Sequence, residues 1–253
     1  MDAGPSKICP HCIQLIAVDA SVCPRCGFVQ DDGESLREEK QRARWLKVVT
    51  LFYAADLVVC TIVNFNSHFY GLSWLFITES VLAALALIFT WIVWKEIKTL
   101  FQWKSFTLPK ALVYGISAIV FGIAVNVIVK WLNNTIFDQD VYYYRSFRHL
   151  TYPKFSMIML IAILPAIFEE LAYRGVILQG LFKLADKKQA IFVAAFLFAI
   201  IHMSFISFFW LLPFAIWLGN VRLKENTIWY GVLIHFLFNL TACVFEFWEL
   251  RIF

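Results

Sequence analysis

Glu169, Glu170 and Arg174 lie inside a stretch, residues 161–175, that is otherwise almost wholly apolar and reads as membrane-spanning. Each charge would cost roughly 2.5–3.5 kcal/mol at the centre of a lipid-exposed helix, and the three together about 8–10 kcal/mol. They must therefore face protein or enclosed water and compensate one another. Glu170 and Arg174 are i,i+4 with the acid N-terminal, the favourable order for an ion pair. Glu169 lies about 100° round the helix and lacks that partner. One carboxylate thus reads as structural and the other as available for chemistry. Pro165, four residues before Glu169, is expected to bend the helix and open the backbone near the pair.

Two later apolar segments carry further polar groups. His202 follows the run from Phe198 to Ile201, and His235 and Asn239 stand i,i+4 on one face of the last segment. Counted from the expected cytoplasmic ends, Glu169 and His202 lie roughly 20 Å deep, Asn239 about 16 Å and His235 about 10 Å. A lone intramembrane His or Asn is more often an interhelical hydrogen-bond partner than a catalyst. An acid, two histidines and an asparagine at compatible depth are harder to dismiss, and they are expected to converge in one cavity open to the cytoplasmic half. Peptide hydrolysis needs a deprotonated water, a donor for the leaving amine, and donors aimed at the tetrahedral oxyanion. No Ser, Cys or Thr nucleophile is required. The rival chemistry is a metal held by Glu169, His202 and His235, with metal-bound water attacking. The compact HExxH spacing is absent, and we read the site as metal-free.

These residues resemble the three motifs of the CPBP intramembrane proteases, the family of the type II CAAX prenyl endopeptidases and the bacteriocin-processing, self-immunity (Abi) proteins. The motifs are Glu169-Glu170-x-x-x-Arg174, Phe198-x-x-x-His202 and His235-x-x-x-Asn239, and the run from Leu218 to Trp229 is also similar. The resemblance covers residues 155–250. It implies that Glu169 and His202 activate water, that His235 and Asn239 stabilise the oxyanion, and that Glu170 and Arg174 support the site. Its implied substrate is a peptide or protein, in some members a prenylated C-terminal tail.

Residues 8–28 carry two CxxC pairs, Cys9/Cys12 and Cys23/Cys26, ten residues apart. Two such turns make a four-thiolate zinc site, and a module this small needs such a staple to fold. The expected cofactor is one structural Zn2+. A disulfide pair or redox CxxC is the alternative. The ribbon is a candidate docking point for a protein partner. His11, between two ligands, is read as exposed.

The whole chain has 253 residues, 61% of them hydrophobic, and a mean hydropathy of +0.71. Soluble domains are about 45–50% apolar. The expected fold is an all-α polytopic transmembrane bundle of about seven spans with a small N-terminal zinc ribbon. Residues 1–30 would be the ribbon, 31–44 a charged linker, 45–154 N-terminal transmembrane helices and 155–250 the catalytic core. The seven apolar segments are 45–65, 72–94, 111–132, 155–182, 189–208, 209–221 and 228–248, with a tight hairpin expected around Ser207. The net charge of +4 argues against a nucleic-acid partner. Basic residues crowd the linker before the first span and the loops at 95–110, 183–188 and 222–227, whereas the loop at 66–71 has none. That alternation places the N-terminus and ribbon in the cytoplasm. The 133–154 loop is discordant, and its Asp138, Asp140 and Tyr142 to Tyr144 suggest an interfacial segment. Asp56, Glu79 and Asn126 are expected to face the bundle and pair there. Two other functions fit parts of the pattern: a non-proteolytic scaffold or immunity-type protein, and a transporter using the charges as a proton relay.

Overall fold

The computed structural model describes residues 6–30, 33–69, 71–137 and 143–248. Asp138, Asp140 and Tyr142 of the suggested interfacial segment lie outside the described residues, as do Asp31 and Asp32 of the linker. The chain divides into two compact units, Met1–Trp45 and Leu46–Phe253.

The first unit holds a two-stranded antiparallel sheet, β1 (Ser6–Ile8) and β2 (Leu15–Ala17), with Lys7 opposite Ile16. Its small core is Ile16 packed with Cys9 and Cys23. Each CxxC closes on itself: the Ile13 N–H donates to Cys9 O and the Gly27 N–H to Cys23 O, both at 2.9 Å. Ile13 and Gly27, each the residue after a CxxC, both take a positive φ, of 60° and 71°. The knuckle bends the backbone the same way twice, once on a glycine and once on a residue with a Cβ.

The second unit is helical. Among the described residues, six helices are long and apolar enough to cross a membrane. Helix α1 is Gly33–Phe65, which begins within the first unit and ends within the second; α2 is Leu72–Ile92, α3 is Leu108–Leu132 and α4 is the continuous helical segment Pro153–Leu181. After a 15-residue helix α5 (Lys187–Ile201) come α6 (Phe205–Glu225) and α7 (Trp229–Trp248). The chain is an integral membrane protein with an all-α bundle.

The fifth and sixth segments differ from expectation. The chain does not turn at Ser207. It breaks at His202 to Ser204, where Met203 has φ 48°, and Ser204 caps α6 by accepting from the Ser207 N–H at 3.3 Å. Helix α5 is therefore the short element and α6 the long one, running past Pro213 to a left-handed Asn226. Hydropathy rises and falls too gently across 189–221 to show this, because Ser204 signals a start only through its cap.

The core of the unit lies where α3, α6 and α7 meet, around Ala118, Phe214, Leu218, Tyr230, Ile234 and Phe238. Helices α3 and α7 pack closely because Gly122 has no Cβ: one there would meet Thr241 Oγ1 and Phe238 O. The start of α7 is tied to the 98–107 loop. Ile228 N–H and Thr227 Oγ1 donate to Leu100 O, Trp229 Nε1 to Phe101 O and Tyr230 Oη to Ser105 O, while Thr107 N–H donates to Tyr230 Oη at 2.7 Å. These bonds fix the register of the helix that carries His235 and Asn239.

Candidate active site

Helix α4 is not a uniform α-helix. It widens into π-helical turns at Ile158–Ile163 and Glu170–Ile177, on either side of Leu164–Glu169. π turns are rare and concentrate at functional sites. Pro165 accounts for one consequence. It has no N–H to donate to the carbonyl four residues earlier, Ile161 O. That carbonyl instead accepts from Asn239 Nδ2 at 3.0 Å. The same proline that loosens the helix thus anchors the asparagine of α7 and leaves its second amide hydrogen available.

Glu170 is fully buried. Its Oε1 lies 2.9 Å from the Arg174 guanidinium and 3.2 Å from His235 Nδ1. Arg174 also donates to Ala215 O and covers the Phe198 ring at 4.7 Å. A carboxylate acceptor at Nδ1 puts the His235 proton there and turns Nε2 toward Glu169, whose Oε2 is 3.8 Å away. Glu170 therefore bridges Arg174 and His235, whereas the i,i+4 spacing shows Arg174 alone. The missed signal is Gly231, one turn before His235. A Cβ at Gly231 would strike Glu170 Oε2, so only glycine leaves the carboxylate its place.

Glu169 is more open, with 27% of its side chain accessible. Its Oε2 has no hydrogen-bond partner among the described residues. Asp56 of α1 and Glu79 of α2 lie close enough to act on it electrostatically, and α2 packs directly against this part of α4. His202 stands just past the end of α5. Its Nδ1 is 2.9 Å from Phe198 O, which makes Nδ1 the donor and leaves Nε2 as an acceptor. Phe198 is the hub of the cluster: fully buried, it contacts Tyr173, Arg174, His202 and His235. The structure thus brings Glu169 to His235 and places no hydrogen bond between Glu169 and His202. An apolar cavity of about 360 Å³ lies alongside. Ala166 and Ile167 line it one turn before the glutamates, with Leu233 and Phe236 flanking His235 and Trp103 stacked on Trp229.

Residues 151–241 match the family model for the type II CAAX prenyl endopeptidase Rce1-like proteins. Over this segment the chain is similar to the CPBP family. The matched stretch contains all three motifs, and at family level the activity is that of an intramembrane CAAX-type protease. A search among curated proteins gives no match to the chain.

The second candidate centre is in the ribbon. Cys9, Cys12, Cys23 and Cys26 offer sulfurs all within 4.8 Å of one another, a group that could hold a metal ion. The Cys9–Cys26 and Cys12–Cys23 sulfur separations are 3.8 and 3.6 Å. Four sulfurs about 2.3 Å from a tetrahedral zinc are about 3.8 Å apart, so the donors fit. Burial raises the Cys9 thiol, but the backbone N–H groups of Cys12 and His11 and the Gln30 amide outweigh it and bring it down to about 6. His11 stacks on Phe28 and takes no place among the four sulfurs.

Proposed function

We propose that this protein hydrolyses a peptide bond within or beside the bilayer, using a water activated by Glu169 and His202. The observation that carries the reading is the Glu169 carboxylate: unbonded at Oε2, partly open, and facing an imidazole whose other nitrogen is held by Glu170. A gap of 3.8 Å is too long for a direct hydrogen bond and leaves the Glu169 carboxylate uncommitted to His235.

The chemistry follows from the tautomers. Glu169 as carboxylate takes the proton of the attacking water. His202, neutral with its lone pair at Nε2, orients that water. With Nδ1–H of His235 held by Glu170, a proton on its Nε2 donates to the oxyanion. The second Asn239 amide hydrogen is the other donor. Such donors act strongly because they are fixed before charge develops. Glu169 then passes its proton to the leaving amine. The apolar cavity beside Ala166 and Leu233 suits a non-polar part of the substrate, such as the lipidated end of a C-terminal tail.

We place the ribbon and N-terminus in the cytoplasm on the loop charges, with zinc as the ribbon's structural ion. The test is substrate trapping. Glu169→Gln keeps shape and removes the base, so it should bind peptide without cutting it, and the retained peptides identify the substrate. A Glu169→Gln protein that cuts at the wild-type rate ends the proposal.

A further inference from the structure

Asp56 belongs to α1, outside the segment that matches the protease family. It is only 5% exposed, an expensive place for a carboxylate without a purpose. Tyr173 donates to its Oδ2 at 2.6 Å. Tyr173 is itself buried, and it follows Glu169 by four residues on α4, so the two share a helix face. Its ring meets the edge of Phe198 at 5.1 Å and 79°. Phe198 in turn contacts the His202 ring at 4.9 Å and supplies the carbonyl that fixes His202 Nδ1. Three residues before Asp56, Tyr53 donates to the carbonyl of Leu197, the neighbour of Phe198, at 3.3 Å. Helix α1 therefore grips the site twice, once through the Tyr173 hydroxyl and once through the α5 backbone.

We propose that Asp56 is a positioning residue of the active site: through Tyr173 and Phe198 it holds His202 in the tautomer and orientation that activate water. The inference rests on the protease reading and adds to it an N-terminal helix that the matched segment lacks. Without the acceptor, the Tyr173 hydroxyl is left buried and unsatisfied. The ring then shifts to find another partner, and Phe198 and His202 follow. A displacement of about 1 Å at a catalytic group lowers turnover by as much as about 10²-fold.

The experiment uses full-length protein in liposomes with two readouts. The first is cleavage of an internally quenched peptide bearing an S-farnesyl cysteine near its C-terminus. The second is the imidazole 15N spectrum of histidine-labelled protein, which reports the His202 tautomer whether or not peptide is cut. Asp56→Leu and Tyr173→Phe should each lower kcat about 10- to 100-fold with KM little changed, and both should move the His202 signals. The double variant should be no worse than either single one, because both break one link. Asp56→Asn, whose amide oxygen still accepts the Tyr173 proton, should recover most of the loss and the original spectrum. Tyr173→Phe keeps the proposal falsifiable where Asp56→Leu does not fold. An unchanged His202 spectrum in folded Tyr173→Phe, or activity lost only in proportion to the folded fraction, overturns it. Wild-type protein that cuts no peptide would instead overturn the protease reading, and the spectrum would still decide the role of Asp56.

Discussion

Glu169 and Glu170 are adjacent and chemically identical, and their surroundings separate them. Glu170 is sealed between Arg174, His235 and Gly231, whereas Glu169 opens toward the site. Glu169→Gln should therefore abolish proteolysis and leave folding intact, measured by cleavage beside thermal unfolding in detergent. Glu170→Gln should damage both, because it strands Arg174; breaking a buried ion pair from one side costs about 3–5 kcal/mol. Equal stability in the two variants would reject this division. Asn239→Ala should lower kcat by about 10²–10³-fold, the usual loss for one oxyanion donor. Kinetics showing only a raised KM would make Asn239 a binding group.

At the scale of elements, the chemistry depends on what α4 fails to do. A regular α-helix would satisfy Ile161 O internally and leave Asn239 without its anchor. Pro165→Ala restores the missing N–H. The expected result is a helix as stable as before or more so, with turnover reduced about tenfold or more as Asn239 loosens. A fully active Pro165→Ala would show that the Ile161–Asn239 bond has no catalytic value. Gly231→Ala tests the facing helix. The added methyl pushes against Glu170, and overpacking of this kind costs about 1–3 kcal/mol. Activity should fall further than stability, since Glu170 also orients His235, and parallel cleavage and melting curves decide it.

For the whole molecule, the two candidate centres belong to separate units, and removal of one tests the other. Purified protein should carry about one zinc, since four thiolates at this spacing form a closed structural site. Deleting residues 1–30 should remove it and leave cleavage of a simple peptide, because Glu169, His202, His235 and Asn239 all lie in the second unit. Metal analysis and activity of the truncated protein are read together. A stoichiometric metal that remains after truncation, is stripped by chelator together with activity, and is lost in His202→Ala would replace the water mechanism with a metal-dependent one.

The membrane-helical class was legible in the sequence because burial in lipid demands long apolar runs, and the family because its three motifs are short and local. The four-cysteine cluster was legible for the same reason: each pair is held by one tight turn. The partners across helices were not legible. That Glu170 reaches His235, that Glu169 faces His235 before His202, and that Ile161 O takes the Asn239 amide depend on how α4, α5 and α7 are rotated and staggered. Spacing along one helix fixes only which side chains share a face. Rotation is set by distant packing, such as Gly122 against Thr241 and the 98–107 loop against the start of α7. The break at His202 to Ser204 escaped hydropathy because a cap and a left-handed residue mark it, not a change in polarity. Composition and short motifs therefore determined what kind of protein this is, and only the tertiary structure decided which polar group meets which.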